Sequence, residues 1–121
     1  MYDIKNLLQY NFYTDELKTA EDLLKKNYVR VSGVIAGVAL ESHLKSVCEN
    51  NCNIKVKTKD TLSKYIEYLR TEKIIDSIME RKLLRLSDIR NLCCHKKDRE
   101  PTEQEVQELI IGVNQILVDL I

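Results

Sequence analysis

Residues that interrupt regular secondary structure are scarce in this sequence. Its 121 residues include three glycines and one proline, and tryptophan is absent. Because a turn-rich β fold uses more glycine and proline, this shortage favours an all-α fold. Neither sign of charge is in excess, since 19 lysines and arginines stand against 19 aspartates and glutamates. The net charge therefore gives no reason to expect a nucleic-acid partner.

A long apolar run is missing as well. The uncharged stretch near the middle, Val31–Leu40, is too short to span a bilayer. The start, Met1-Tyr2-Asp3, lacks the basic and apolar regions of a secretory signal. We therefore expect a cytoplasmic protein without a membrane partner. In that compartment the four cysteines should be reduced thiols rather than disulfides.

The length and composition of the chain predict one globular domain over residues 1–121. Apolar residues make up 44% of the chain and charged residues 31%, which is typical of a folded domain rather than a disordered one. Apolar side chains recur at helical spacing, which predicts an up-and-down bundle of four to five main helices. The predicted helical regions are 2–27, 28–50, a third starting at Asp60 or Thr61, 74–95 and a last one from Thr102.

The predicted first helical region contains an irregularity. Its apolar spacing slips in phase between Phe12 and Leu17, which predicts a kink or a second helix that starts at Thr14 or Asp15. The second region is apolar on every side over residues 33–40, so we expect that helix to be central.

Later boundaries are marked more clearly. Thr102 and Glu105 have the spacing of a capping box, which predicts a helix start. Residues 51–60 read as a solvated loop. The buried side of the fourth helix is predicted to hold Ile75, Ile78, Met79, Leu83, Leu86, Ile89 and Leu92 or Cys93.

Three side chains that can bind phosphate or transfer protons lie at the end of the fourth predicted helix: Arg90, Asn91 and His95. A histidine can move a proton near neutral pH, and an arginine can hold a phosphate through its planar fork of donors. Asn91 can orient either group through its amide. On an ideal helix Arg90 and His95 lie about 140° apart, so one phosphate meets both only if the helix end unwinds or a second chain contributes.

This motif resembles the R-x4-6-H motif of the HEPN superfamily (higher eukaryotes and prokaryotes nucleotide-binding domain). Residues 36–45 resemble that family's second helix, and Pro101 onward resembles its last helix. The resemblance implies a homodimer in which the motifs of two chains meet in one cleft. It also implies metal-independent cleavage of RNA, with Arg90, Asn91 and His95 as catalytic residues and no cofactor.

Such a ribonuclease would be a toxin or a defence effector with a cognate antitoxin or nucleotidyltransferase as partner. In one toxin subgroup a tyrosine that the nucleotidyltransferase modifies follows two residues after the histidine, where this chain has Lys97. Control by tyrosine modification is therefore not expected here. The alternative function is a non-catalytic module that binds a partner protein, such as a nucleotidyltransferase, or a nucleotide.

Basic residues surround the motif and acidic residues follow it. Residues 81–99 contain seven lysines and arginines, whereas residues 100–121 contain five acids and no base. We expect the basic block to contact an RNA backbone. The alternative is local pairing of the basic face with the acidic one. The residues assigned to RNA binding are Arg85, Lys96, Lys97 and Arg99.

Two structural alternatives stand beside the catalytic interpretation. Arg90 could form a salt bridge with Glu41 or Asp88, and His95 could cap a helix end. Glu41 is the favoured partner for holding Arg90 in place, so we assign it a supporting role.

The chain carries six cysteine and histidine side chains, which can bind zinc, but their spacing does not favour a site. Structural zinc sites usually show two closely spaced pairs of ligands, and this sequence offers one at best. We therefore expect neither a metal nor a cofactor, and we expect His43 to pack rather than act. The possible ligands are Cys48, Cys52, Cys93, Cys94, His43 and His95.

Overall fold

The computed structural model describes residues 4–95 and 99–120, apart from the side chain of Asn6. Over these residues all regular structure is α-helical and no strand is present, which confirms the all-α prediction. The chain forms a bundle of five helices. They are α1 (Ile4–Lys25), α2 (Val29–Glu49), α3 (Leu62–Thr71), α4 (Ser77–Cys94) and α5 (Glu103–Asp119).

Helix α2 is the centre of the bundle, as its apolar composition predicted, and it packs against each of the other four helices. Small residues allow this close approach. A Cβ built on Gly33 would lie 2.1 Å from the Cys93 sulfur, so α4 passes directly over that position. On the opposite side, the buried Ser32 hydroxyl donates to the carbonyl of Ala20 on α1 at 2.6 Å.

Helix α1 is continuous, so the predicted new start at Thr14 or Asp15 was wrong. The Thr14 hydroxyl instead donates to the carbonyl of Asn11 within the helix. The phase slip has a different cause, because the apolar face changes sides. Ile4 and Tyr13 lie about 180° apart on an ideal helix, and they are 77% and 7% exposed.

Two helices end in the same way. Asn27 after α1 and Lys73 after α3 adopt left-handed backbone angles, with φ of 68° and 60°. In each case the next amide reaches back to a carbonyl five residues earlier, at 2.9 Å for Tyr28 to Leu23 and for Ile74 to Leu69. These paired bonds satisfy carbonyls that a helix end leaves open. The predicted turn at Lys26-Asn27 is confirmed.

The starts of α4 and α5 depend on side-chain caps. Thr102 and Glu105 form the predicted capping box. Asp76 caps α4 by accepting the amide of Met79 at 2.8 Å, so this helix begins later than residue 74. Ile78 is 58% exposed, and its predicted place on the buried side was wrong. It belongs to the first turn of α4, which the bundle does not cover on that side.

Candidate active site

The side chain of Arg90 joins α4 to the central helix. Its Nη2 donates to Glu41 Oε2 at 2.6 Å, and the two side chains are 23% and 31% exposed. Of the two candidate partners named from the sequence, Glu41 rather than Asp88 forms the salt bridge. Gly37, one turn before Glu41, leaves room for the arginine, because a Cβ there would lie 2.5 Å from Arg90 Cγ. A partly buried pair of this kind fixes the direction of the guanidinium.

Asn91 holds the other side of the same guanidinium. Its Oδ1 accepts from Arg90 Nη1 at 3.2 Å. This leaves the amide nitrogen of Asn91 as the donor that it can offer to a phosphate oxygen. Arg90 Nε is buried and has no hydrogen-bond partner among the described residues. The guanidinium is thus oriented by Glu41 and Asn91 through its two terminal nitrogens.

His95 stands at the point where α4 ends. Its amide still donates to the carbonyl of Asn91 at 3.0 Å, but its own angles, φ −122° and ψ 134°, are extended. The residue is exposed. The chain therefore leaves the helical path at the histidine, so the 140° separation of an ideal helix does not fix where the imidazole lies.

Arg30, which the sequence analysis did not single out, fastens the end of α4. Its Nη1 donates to the carbonyls of Leu92 and Cys93 at 3.0 and 2.8 Å. Its Nε and Nη2 meet Glu100 Oε2 at 2.9 and 2.8 Å. One side chain therefore ties α2 to the residues on both sides of His95. The sequence did contain a signal for Arg30. A cation in the first turn of a helix is disfavoured by the helix dipole, so its presence there indicates a stabilising partner elsewhere in the fold.

Two described members of the basic block, Arg85 and Arg99, pair with acids of the last helix. Arg85 meets both carboxylate oxygens of Glu108, at 2.8 and 3.2 Å. Arg99 meets both of Glu105, at 2.7 and 2.8 Å, and this contact lowers the Glu105 pKa to about 2. For Arg85 and Arg99, the structure therefore shows the alternative in which the basic residues pair locally with the acidic ones. Lys96 and Lys97 lie outside the described residues, and contact of the block with RNA stays a prediction.

Arg85 is also separated from Arg90 in space. It lines a groove between α4 and α5 in which Arg90 takes no part. The two arginines are five positions apart and so lie about 140° from each other around the helix. The structure therefore brings Arg90, Asn91, Glu41 and the backbone of His95 together, and it places Arg85 on another face.

His43 has a structural position. Its Nε2 bonds to the carbonyl of Leu120, and its ring packs edge-on against Tyr13 with 5.8 Å between centroids. Burial lowers the pKa of His43, because removal from water disfavours the charged imidazole. The residue thus joins the end of α5 to α2 and α1.

The four cysteines are free thiols. Burial raises the pKa of Cys48 and of Cys93 to about 11, so both stay protonated at neutral pH. Within residues 4–95 and 99–120, no three side chains of histidine, cysteine, aspartate or glutamate converge to hold a metal ion.

Exposed apolar side chains lie on α2 and α4, the helices that carry Glu41 and Arg90. Val31 and Val38 of α2 are 49% and 54% exposed, and Leu84 of α4 is 42% exposed. Gly33 and Gly37 face α4. Val34 and Val38, the next residue after each glycine, are one turn apart and lie beside that contact, toward solvent. We call Val31, Val34, Val38 and Leu84 the valine face.

None of the five helices, over the residues that the structure describes, is long and apolar enough to cross a membrane. Comparison with models of protein families, with curated proteins and with solved structures found no match to this chain.

Proposed function

We propose that this chain is a metal-independent endoribonuclease of the HEPN type that acts as a homodimer. The observation that carries the proposal is the arrangement of Arg90. Glu41 and Asn91 orient its guanidinium at the end of α4, and an exposed histidine follows where that helix stops. A guanidinium held in a fixed direction and an exposed histidine at the same helix end are suited to a reaction at a phosphodiester.

The reaction would use the substrate's own hydroxyl. His95 takes the proton from a ribose 2′-hydroxyl, or delivers a proton to the leaving 5′-oxygen. The 2′-oxygen then forms a bond to phosphorus while the bond from phosphorus to the 5′-oxygen breaks. The products are a 2′,3′-cyclic phosphate and a 5′-hydroxyl. Arg90 stabilises the negative charge that builds up on the phosphorane-like transition state.

Two copies would complete the site. The valine face exposes apolar side chains on α2 and α4, the two helices that carry Glu41 and Arg90, which suits a two-fold contact between identical surfaces. A dimer through this face brings both copies of Arg90, Asn91 and His95 toward one axis. A role as a toxin or defence effector, held in check by an antitoxin or a nucleotidyltransferase, fits such an enzyme.

A second candidate function rests on the same ion pair. Arg90 already has a carboxylate partner within its own chain at 2.6 Å, which offsets part of the charge that a phosphate would meet. A non-catalytic module that binds a partner protein or a nucleotide could use this ion pair as it is, without a group that transfers protons. The two functions differ in one requirement, because only the ribonuclease needs His95.

The test is cleavage of labelled single-stranded RNA in EDTA. Wild type should cut, whereas His95→Ala and Arg90→Ala should each lose activity by about 10²–10³, the usual effect of removing one transition-state contact. A 2′-deoxy substitution at the cut site should block the reaction. Arg70→Ala is the matched control, since Arg70 lies on α3 outside the basic block and meets Glu80 at 3.7 Å.

Two results would decide against the ribonuclease. Equal cleavage by wild type and His95→Ala would place the activity elsewhere. No cleavage of several RNAs by the wild-type dimer would favour the non-catalytic module.

A further inference from the structure

The first two turns of α1 carry an apolar stripe that this chain does not cover. We call residues 4–12 the arm. Ile4, Leu7, Leu8 and Phe12 are 77%, 50%, 63% and 60% exposed. Their spacing places them together on one side of the helix, opposite the side that buries Tyr13 and Leu17. Because α1 buries one apolar face in the bundle and leaves this second one exposed, the second face is free to pack against another surface.

A groove between α4 and α5 offers such a surface. Its volume is about 590 Å³. The floor is formed where the two helices come closest, because a Cβ on Gly112 would lie 2.6 Å from a Leu86 methyl. Ile111 stands at the edge and is 62% exposed. The other apolar lining residues are Met79 and Ile116, and the polar rim includes Lys82, Arg85, Gln107, Glu108 and Asp119.

The arm cannot reach this groove in its own chain. Helix α1 runs without a break into the buried Tyr13 and Leu17, so its direction is fixed by the bundle. The stripe faces away from that bundle, and α1 contributes no residue to the groove. The apolar stripe and the groove can therefore meet only between two molecules.

We propose that the arm of one copy of this chain lies in the α4–α5 groove of a second copy, and that the exchange is reciprocal. The dimensions agree, because the groove follows α5 from Gln104 to Asp119, about 22 Å, whereas the arm from Ile4 to Phe12 is about 12 Å long. Reciprocal exchange closes into a two-fold dimer with two such contacts. It uses a different surface from the valine face and does not depend on the proposed activity.

Charge sets the direction in which the arm lies. Lys5 is the only charged residue of the arm. Of the two acids on the groove rim, Glu108 is already paired with Arg85. Asp119 accepts a hydrogen bond from Gln115, and it meets no cation in the part of the chain that the structure describes. Lys5 next to Asp119 of the second copy therefore places the start of the arm at the α5 end of the groove.

The test measures self-association by light scattering and sedimentation. All variants carry Val38→Glu, so that association through the valine face does not contribute. Leu8→Glu on the arm and Ile111→Glu in the groove should each raise the dimer dissociation constant at least tenfold, because a charge would be buried against apolar side chains. Val118→Glu is the matched control, since Val118 is 53% exposed on the same helix and does not line the groove.

Mixing the two variants tests the pairing itself. One intact arm and one intact groove meet in a heterodimer of Leu8→Glu with Ile111→Glu, so the mixture should associate more tightly than either variant alone. A monomeric parent protein at high micromolar concentration would overturn the proposal. So would a loss caused by Leu8→Glu but not by Ile111→Glu, which would mean that the arms pair with each other.

Discussion

The two histidines of this chain show how position decides what a side chain can do. His43 is enclosed between α1, α2 and the end of α5, where its ring nitrogen bonds to a backbone carbonyl. His95 is exposed at the end of α4. A buried imidazole with a lowered pKa stays neutral and stabilises the fold, whereas an exposed one can exchange protons with a substrate.

Replacing His43 should change how stability depends on pH. The pKa of His43 is lower in the folded protein than the 6.5 of the unfolded chain. The unfolded state therefore binds the proton more readily, and stability is lost as the pH falls below about 6.5 toward the folded pKa. His43→Gln keeps an N–H donor for the Leu120 carbonyl and should not show this loss. Urea unfolding at about pH 7.5, 6.5 and 5.5 measures the difference.

His95→Gln is the control for that measurement, because the exposed histidine should leave the pH dependence of wild type in place. An equal loss of stability in wild type and His43→Gln on acidification would mean that His43 is not the group responsible.

Three side chains hold helix α4 in place, one through a local cap and two through contacts that are distant in sequence. Asp76 caps its start, Arg90 meets Glu41 on α2, and Arg30 binds the last carbonyls. Without Arg30 the final turn would keep open carbonyls next to the site, and His95 would lose a fixed neighbour.

Arg30→Ala should therefore destabilise the protein more than a matched surface change. Arg30 meets a carboxylate and two backbone carbonyls, so its loss should cost about 1–3 kcal/mol. Arg85→Ala removes an equally well-formed pair with Glu108, but both side chains are about half exposed, at 51% and 46%. Exposed pairs are worth about 0–1 kcal/mol. Chemical denaturation of both variants gives the comparison, and equal losses would contradict this role for Arg30.

Local sequence patterns were sufficient for most helix boundaries and failed where tertiary contacts decide. The capping box at Thr102 and the turn at Asn27 are local, and both were predicted. The phase slip in α1 was visible, but a spacing pattern does not say that a helix changes its buried side without breaking. Ile78 was assigned to the core for the same reason, since its spacing fits the stripe and only the position of the neighbouring helices leaves it exposed.

The site divides in a similar way. Glu41, which follows the apolar run of α2, was the favoured partner for Arg90, and the structure brings the two side chains together. Arg30 was missed, since its partners are 62 to 70 positions away in the chain. The arginines of the basic block carry no mark in the sequence that distinguishes a free cation from one that is bound to a glutamate.

Over the described part of the molecule, salt bridges join several basic residues to the acidic residues that follow residue 99 in the sequence. Arg85, Arg99 and Arg30 each meet a glutamate from residues 100–108. Within the basic block, Arg85 and Arg99 are therefore neutralised by glutamates of α5.

The proposed enzyme should depend on association through the valine face. Val38→Glu places a charge among exposed apolar side chains beside the site, and it should prevent that dimer and abolish RNA cleavage together. Light scattering and the EDTA cleavage assay measure the two effects. Val118→Glu should retain cleavage. A Val38→Glu variant that cuts RNA as well as wild type would show that the site does not need this face.

The contact of Gly37 with Arg90 has an evolutionary consequence. Because a Cβ on residue 37 would lie 2.5 Å from Arg90 Cγ, a larger residue at 37 requires the arginine side chain to move or to be replaced. In relatives of this chain, a larger residue at 37 should occur together with a shorter one at 90, and such a pair should also lose the need for an acid at 41. Coupled substitution at these three positions would distinguish descendants that keep the site from those that keep only the bundle.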